Sequence, residues 1–316
     1  MTILKDLFYI LVFPGALFAA VIGLLLAGID RKVLARMQKR VGPPLRQPFY
    51  DFFKLMGKET IIPHAANKAA YLAAPVMSVA SLMLMMLFIP IFGFSAFSGR
   101  ADLIVLLYLI TIPGVALIIG GSASGSPYAG IGISREMVTM MAYELPFIIV
   151  LLAVARKVGG SELCFSMQGI ADWQAANGCA LFHWALIPAA IAMLLVIPAE
   201  VGTQPFDVAE AETEICEGPL IEYSGAPLGL FKLATAIKMF VMTALFTALF
   251  LGGIRTGFVA LDAVILVAIC AVLTVLCMTL IHAVTARLKI EHLFKFYWTI
   301  VTGLALISLI LVWLGL

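Results

Sequence analysis

The chain has 316 residues, 63% of them hydrophobic and 12% charged, far more apolar than the roughly half expected of a soluble globular domain. That balance excludes a sizeable soluble domain, and a formal net charge of +2 is too small to imply a nucleic-acid partner. Five cysteines (Cys164, Cys179, Cys216, Cys270, Cys277) without a C-x-x-C pair argue against an iron–sulfur cluster, a zinc site or a nickel centre in this chain, so no metal ligands and no resident cofactor are expected.

A helix needs about 20 apolar residues to cross the hydrocarbon core. Eight stretches qualify: 7–29, 71–94, 103–120, 137–155, 181–201, 229–253, 261–284 and 297–316. The predicted fold class is an all-α integral membrane protein, a single membrane domain over 1–316 with cytoplasmic amphipathic helices between spans. The first apolar run is too long for a signal-peptide core and no small-residue cleavage site follows it, so it reads as a retained span. Lys and Arg between the spans divide fourteen to five. The richer side, which includes segment 30–68, is assigned to the cytoplasm, and both termini to the outside. Lys238 falls inside the sixth span.

Segment 30–68 is more than a connector. As a helix, Lys32, Arg36, Lys39 and Arg40 share about 100° of arc, with Val33, Leu34 and Met37 on the other side, and Gly42-Pro43-Pro44 stops it. A second amphipathic piece sets Phe49, Phe52, Phe53 and Met56 against Asp51, Lys54 and Lys58. Such a loop either lies on anionic headgroups or lines an interface or cavity entrance. Residues 121–136, rich in Gly and Ser, lack the Gly-Lys-Ser/Thr ending of a phosphate loop and read as a tight turn. The fourth span carries Glu144 two turns in, where an acid costs roughly 3 kcal/mol unless it finds a partner, water or a proton. Cys164 and Cys179 are read as free thiols. His64, His183, His282 and His292 lack a spacing that suggests haem ligation and are read as interfacial.

The stretch 200–225 holds seven of the 18 acids (Glu200, Asp207, Glu210, Glu212, Glu214, Glu217, Glu222) and no Lys or Arg. If 207–217 is helical, Asp207, Glu210, Glu214 and Glu217 lie within about 80° of one face while Glu212 points away. Four like charges so close must be neutralised by bases or keep some protons near pH 7. Arg31, Lys32, Arg36, Lys39, Arg40 and Arg46 of the first loop are available. With Glu144 and Lys238 continuing the line into the bilayer, the composition suits a proton or ion relay, or else a salt-bridged interface.

Gln204-Pro205-Phe206-Asp207 through Glu210, Glu212 and Glu214 to Glu222-Tyr223-Ser224-Gly225 resembles the signature of the membrane subunit that forms the quinone chamber of respiratory complex I. The first loop is similar too, in Asp30-Arg31-Lys32, Gln38, Arg40-Val41-Gly42-Pro43, Gln47-Pro48, Asp51 and Lys54-Leu55, as is Tyr143-Glu144. The segment Pro44-Leu45-Arg46 is shorter than the insert usual in quinone-binding members, and Asp30 stands where they carry Glu. Gly42-Pro43-Pro44, Gln47 to Asp51, Gly125-Ser126-Pro127 and Ser134-Arg135-Glu136-Met137 look more like the homologous subunit of energy-converting, membrane-bound [NiFe] hydrogenases.

The resemblance implies a non-catalytic coupling subunit in the inner (cytoplasmic) membrane. Its expected partners are a peripheral hydrogenase or dehydrogenase arm that includes an iron–sulfur protein, antiporter-like membrane subunits and the lipid bilayer. Iron–sulfur clusters and a nickel–iron centre are expected in the partners, with ferredoxin as electron donor. Glu144, Asp207, Glu210, Glu212, Glu214, Glu217 and Lys238 are the candidates for ion or proton coupling. Arg31, Arg36, Arg40, Arg46, Asp51 and Glu222 are the candidates for docking and charge balance. The alternatives are a quinone-binding subunit of an NADH dehydrogenase and a stand-alone secondary transporter. The transporter usually shows an inverted repeat, and no second copy of the acidic loop is found.

Overall fold

The computed structural model describes residues 8–13, 15–91, 102–160, 162–253 and 258–315, the side chains of residues 212, 213 and 259 excepted. Among them the chain is helical, with eight helices long and apolar enough to cross a membrane. In chain order they are α1 (Ala16–Met37), the short α2 (Gln47–Met56), α3 (Lys68–Phe88), α4 (Asp102–Ser124), α5 (Pro127–Gly159), the short α6 (Met167–Asn177), α7 (Ile187–Val201) and α8 (Gly225–Phe250). Then come α9, Val259–Thr274 continued through a π turn Val275–Thr279 into Leu280–Val284, and α10, Ile290–Phe296 continued through a π turn Tyr297–Val301 into Thr302–Trp313.

The axis of the bundle is α8. It is apolar on every side, as a helix wrapped by others must be, and 94% of its most apolar window is buried. Around it pack α1, α2, α3, α7 and α9. The approach of α1 requires Gly23, since a Cβ there would lie 2.6 Å from the carbonyl oxygen of Ala236, the small-residue contact common between membrane helices. At the far end Gln174 of α6 donates to the carbonyls of Ala248 and Leu249, both at 2.9 Å, and so caps the last turn of α8.

All eight expected spans are found, with shifted bounds. The first helix runs on to Met37, so residues 30–37 continue α1 instead of forming a separate piece, and Lys39, at φ +58°, and Arg40 lie in the turn beyond it, off the helical face expected to hold them with Lys32 and Arg36. The expected amphipathic segment around Phe49 is α2. The 121–136 turn is confined to Gly125-Ser126; residues 121–124 end α4 and residues 127–136 begin α5. At about 1.5 Å per residue, the 33 residues of α5 reach about 50 Å, well past a hydrocarbon core of about 30 Å. The helix expected over 207–217 is absent: 202–211 is a series of turns and only Glu212–Ile215 is helical. Lys5, Arg100 and Arg255, three of the five bases of the poorer side, lie outside the described residues.

Candidate functional site

The turns of 202–211 close over an open cavity of about 360 Å³ at one end of α8. Its acids are Asp30, Asp207, Glu210 and Glu217, and its bases Arg31, Lys232 and Arg287. Beneath it lies a smaller cavity of about 70 Å³ lined by Glu136, Thr139, Glu200 and Lys238, and Asp207 and Glu210 face both spaces. A file of ionisable groups therefore leads from the vestibule into the middle of the bundle.

Each acid has its own surroundings. Asp207 is held by Arg287 through two bonds, from Nε to Oδ1 at 2.9 Å and from Nη2 to Oδ2 at 2.7 Å, the planar fork that a guanidinium offers a carboxylate. Glu214 turns to the periphery, where Arg135 Nη1 meets its Oε2 at 2.6 Å and also donates to the Val208 carbonyl at 3.3 Å. Deeper in, Lys238 Nζ lies 2.8 Å from Glu200 Oε1, with the two side chains only 9% and 3% exposed. A buried cation and anion are tolerated there because each neutralises the other. Glu136 and Glu144 lie two turns apart on α5, and both are within electrostatic reach of Glu200 and Lys238. Asp30 accepts from Thr279 Oγ1 at 2.6 Å, a contact delivered by the π turn of α9, and such turns are frequent at functional sites.

Glu210 stands between these environments. Burial pushes its carboxyl up to about 7, and the carboxylates of Glu136, Asp207 and Glu217 add to the rise while Lys232 opposes it. Asp51, outside the cavity, moves the other way. Slight desolvation is outweighed by bonds from Gln47 (2.9 Å) and Arg31 (2.8 Å) and by the charges of Arg31 and Lys232, so its carboxyl lies below the usual range.

Two expectations need correction. Asp207, Glu210 and Glu217 do share one cavity, but as turn residues and not as a helical face, and Glu214 has left them. The bases that neutralise the acids are Arg287, Arg135 and Lys238, not the first-loop set. Arg31 is paired with Asp51, and Arg36, Arg40 and Arg46 are exposed. Glu212's side chain lies outside the described residues.

Glu222 contributes its backbone, accepting from Tyr71 Oη at 2.7 Å, while Tyr223 Oη donates to the Tyr71 carbonyl at 3.1 Å and the two rings stack with centroids 4.1 Å apart. Ser224 Oγ accepts from the Ile61 amide at 2.9 Å. Gly225 sits at φ +62°, and a Cβ there would meet the Glu59 carbonyl oxygen at 2.6 Å. The Glu-Tyr-Ser-Gly run is thus the clamp that holds the acidic turns onto α3 and the end of the first loop. Glu136, Glu200, Arg287 and Asp30 were not among the residues singled out as site candidates. Glu200 had a signal, since an intramembrane Lys238 calls for an intramembrane acid.

Eight spans with ion pairs inside the bundle and an acid-lined vestibule make this a multi-pass membrane protein, and its relatives make it a membrane subunit of a respiratory complex of the complex I or membrane-bound hydrogenase type. The chain belongs to the NADH dehydrogenase family of complex I membrane subunits, whose family model matches residues 9–313. It is 36% identical over 249 residues to Hydrogenase-4 component C of Escherichia coli K12, covering 77% of this chain and 76% of that protein. It is 33% identical over 312 residues to a subunit of the NADH-quinone oxidoreductase of Geobacillus kaustophilus HTA426, covering 93% of this chain and 90% of that one. Among solved structures, the membrane-bound sulfane sulfur reductase, an archaeal respiratory membrane complex, contains a chain that matches with a TM-score of 0.87 at 32% identity, covering 98% of this chain and 99% of that one.

Proposed function

We propose that this chain is the coupling subunit of a ferredoxin-dependent, hydrogen-evolving membrane-bound [NiFe] hydrogenase complex, and that it links electron transfer in a cytoplasmic arm to proton or sodium movement in the membrane. The observation that carries the reading is the file of groups from the Asp207–Arg287 pair through Glu210 to Glu136 and the Glu200–Lys238 pair. A proton added to Glu210 removes one of several crowded negative charges. Asp207, Glu136 and Glu217 all feel that change, so the balance of the deeper pairs shifts with it. Protonation at the vestibule is in this way a signal to the bundle interior. Glu144 hands it along α5 toward antiporter-like neighbours.

In this reading the vestibule opens to the cytoplasm, both termini lie outside, and the complex resides in the inner membrane. Arg31, Arg36, Arg40, Arg46, Asp51 and Glu222 border the docking face for the arm. The partners hold the iron–sulfur clusters and the nickel–iron centre. Similarity to Hydrogenase-4 component C supports the hydrogenase assignment. The length of the match to an NADH-quinone oxidoreductase subunit favours the second reading, a quinone-reducing complex.

The test is purification of the intact complex and identification of its partners, followed by assay in sealed vesicles. A nickel-site subunit and hydrogen evolution from reduced ferredoxin support the first reading. NADH-oxidising partners and quinone reduction replace it with the second. In either complex Glu144→Gln is expected to lower ion pumping while leaving dye-linked chemistry of the peripheral arm nearly intact, and unchanged pumping removes Glu144 from the route.

A further inference from the structure

At the end of the bundle remote from the vestibule, the chain passes from α6 to α7 through two short 3-10 turns, Ala180–Phe182 and Trp184–Leu186. Ala180, Ala185 and Leu186 are fully buried, yet Phe182 and Trp184 are 82% and 60% exposed. The backbone that carries them is tied down. Ser308 of α10 donates to the Ala185 carbonyl at 2.7 Å, and the His183 ring packs on Trp173 with centroids 5.0 Å apart. A Cβ at Gly253, just past α8, would lie 3.2 Å from the Cys179 amide nitrogen. A fixed turn thus holds out two large aromatic side chains.

The length of α7 sets the level of this turn in the membrane. Trp184–Val201 is the shortest of the eight described spans, at 18 residues. It rises about 28 Å, at 2.0 Å per residue in the 3-10 turn and 1.5 Å in the helix, against a hydrocarbon core of about 30 Å. Its other end is fixed at the vestibule, where Gly202 is on the wall. A span this short has no residue to spare, so Trp184 falls where hydrocarbon gives way to ester groups. Trp313, at the same end of the neighbouring α10, is 68% exposed and has the Arg156 guanidinium 5.2 Å from its ring centre. An indole beside a base is the composition of a membrane border.

We propose that the 179–186 turn is an interfacial anchor. Phe182 and Trp184 enter the ester layer of the leaflet remote from the vestibule, and the Trp184 indole N–H donates to a lipid ester carbonyl. Indole suits that layer because its ring is apolar and its edge carries one polar donor. Neutral and anionic phospholipids offer the same carbonyls, so no particular headgroup is selected. The anchor holds one end of α7 at a set depth, and Glu200 lies at the other end of that helix. The proposal goes beyond the coupling role and holds for a hydrogenase or a quinone-reducing complex alike.

The test places the photoreactive p-benzoylphenylalanine at residue 182 of the intact complex and, in a second preparation, at residue 176, an exposed position of α6. Each complex is reconstituted in vesicles of dioleoyl phosphatidylcholine or of dioleoyl phosphatidylglycerol and irradiated, and the adducts are identified by mass. Residue 182 is expected to capture phospholipid in both lipids, with a yield several-fold above that of residue 176. A yield at residue 182 no higher than at residue 176 overturns the proposal. Capture of another subunit as the main adduct assigns the turn to a protein interface, and adducts confined to phosphatidylglycerol assign it to an anionic headgroup site; either result sinks the anchor.

Discussion

Glu210 is the residue whose ordinary chemistry is altered most usefully, because burial and the carboxylates around it push its carboxyl up to about 7 while its neighbour Asp207 is tied to Arg287. For an acid raised in the folded state, the sign is fixed. The charged form is penalised, so its contribution to stability is complete below about 4.5 and is lost as pH rises through about 7. The coupling ratio of ions moved per electron pair is therefore expected to bend near pH 7. Glu210→Gln, fixed in the neutral form, should lose that bend while Glu210→Asp keeps a shifted one, read as pumping in vesicles from pH 5.5 to 8.5. Lys238 and Glu200 make the opposite case, a pair whose partners protect each other. Lys238→Ala leaves a carboxylate buried without a partner and is expected to cost about 3–5 kcal/mol, seen as lost assembly. Replacing both, as K238M/E200L, should restore assembly and still abolish pumping. Normal pumping by the double variant would show the pair to be structural.

At the scale of elements, the acidic turns stay in place because the Glu-Tyr-Ser-Gly clamp fastens their far end. Gly225→Ala must hold a left-handed φ at about 1–2 kcal/mol and push a Cβ against the Glu59 carbonyl. Tyr223→Phe loses only the bond to Tyr71, about 1 kcal/mol. The first is expected to lower the thermal midpoint of the complex clearly more than the second, and the reverse order would mean the ring contacts, not the turn, hold the clamp. The same elements explain what could be read in advance. The spans were legible because each is a long apolar run. The start of α5 was not, because Gly130 and Gly132 imitate a loop; a Cβ at residue 132 would lie 2.5 Å from Pro219, so Gly132 serves packing. A helix over 207–217 looked plausible from spacing alone. Yet acids at 207, 210, 214 and 217 repel at i,i+3 and i,i+4, Cys216 and Glu217 adopt positive φ, and separate arginines hold Asp207 and Glu214 apart. Which arginines these are depends on the return of the chain after α9 and on α5, both distant in sequence.

At the scale of the molecule, charge divides into an inner file built around the Asp207–Arg287 and Glu200–Lys238 pairs and an outer set, Arg36, Arg40 and Arg46, that stays exposed. No acid among the described residues takes up this outer set as an ion pair. Exposed bases at a rim speed encounter with an acidic surface and contribute modestly to affinity, with strong salt dependence. If they guide the peripheral arm, R36E/R40E/R46E should leave the membrane complex folded, since none supports the bundle, and release the arm at a salt concentration the wild type withstands. The measurement is co-purification of arm subunits across a salt series, with complex lacking the arm scored separately. The inner file must be untouched by this change, so dye-linked activity of the released arm should match the wild type. Retention of the arm at every salt concentration would mean that docking rests on the vestibule rim itself, where Arg31 and Asp51 are already bound to each other. The salt response thus separates a guiding rim from an anchoring one.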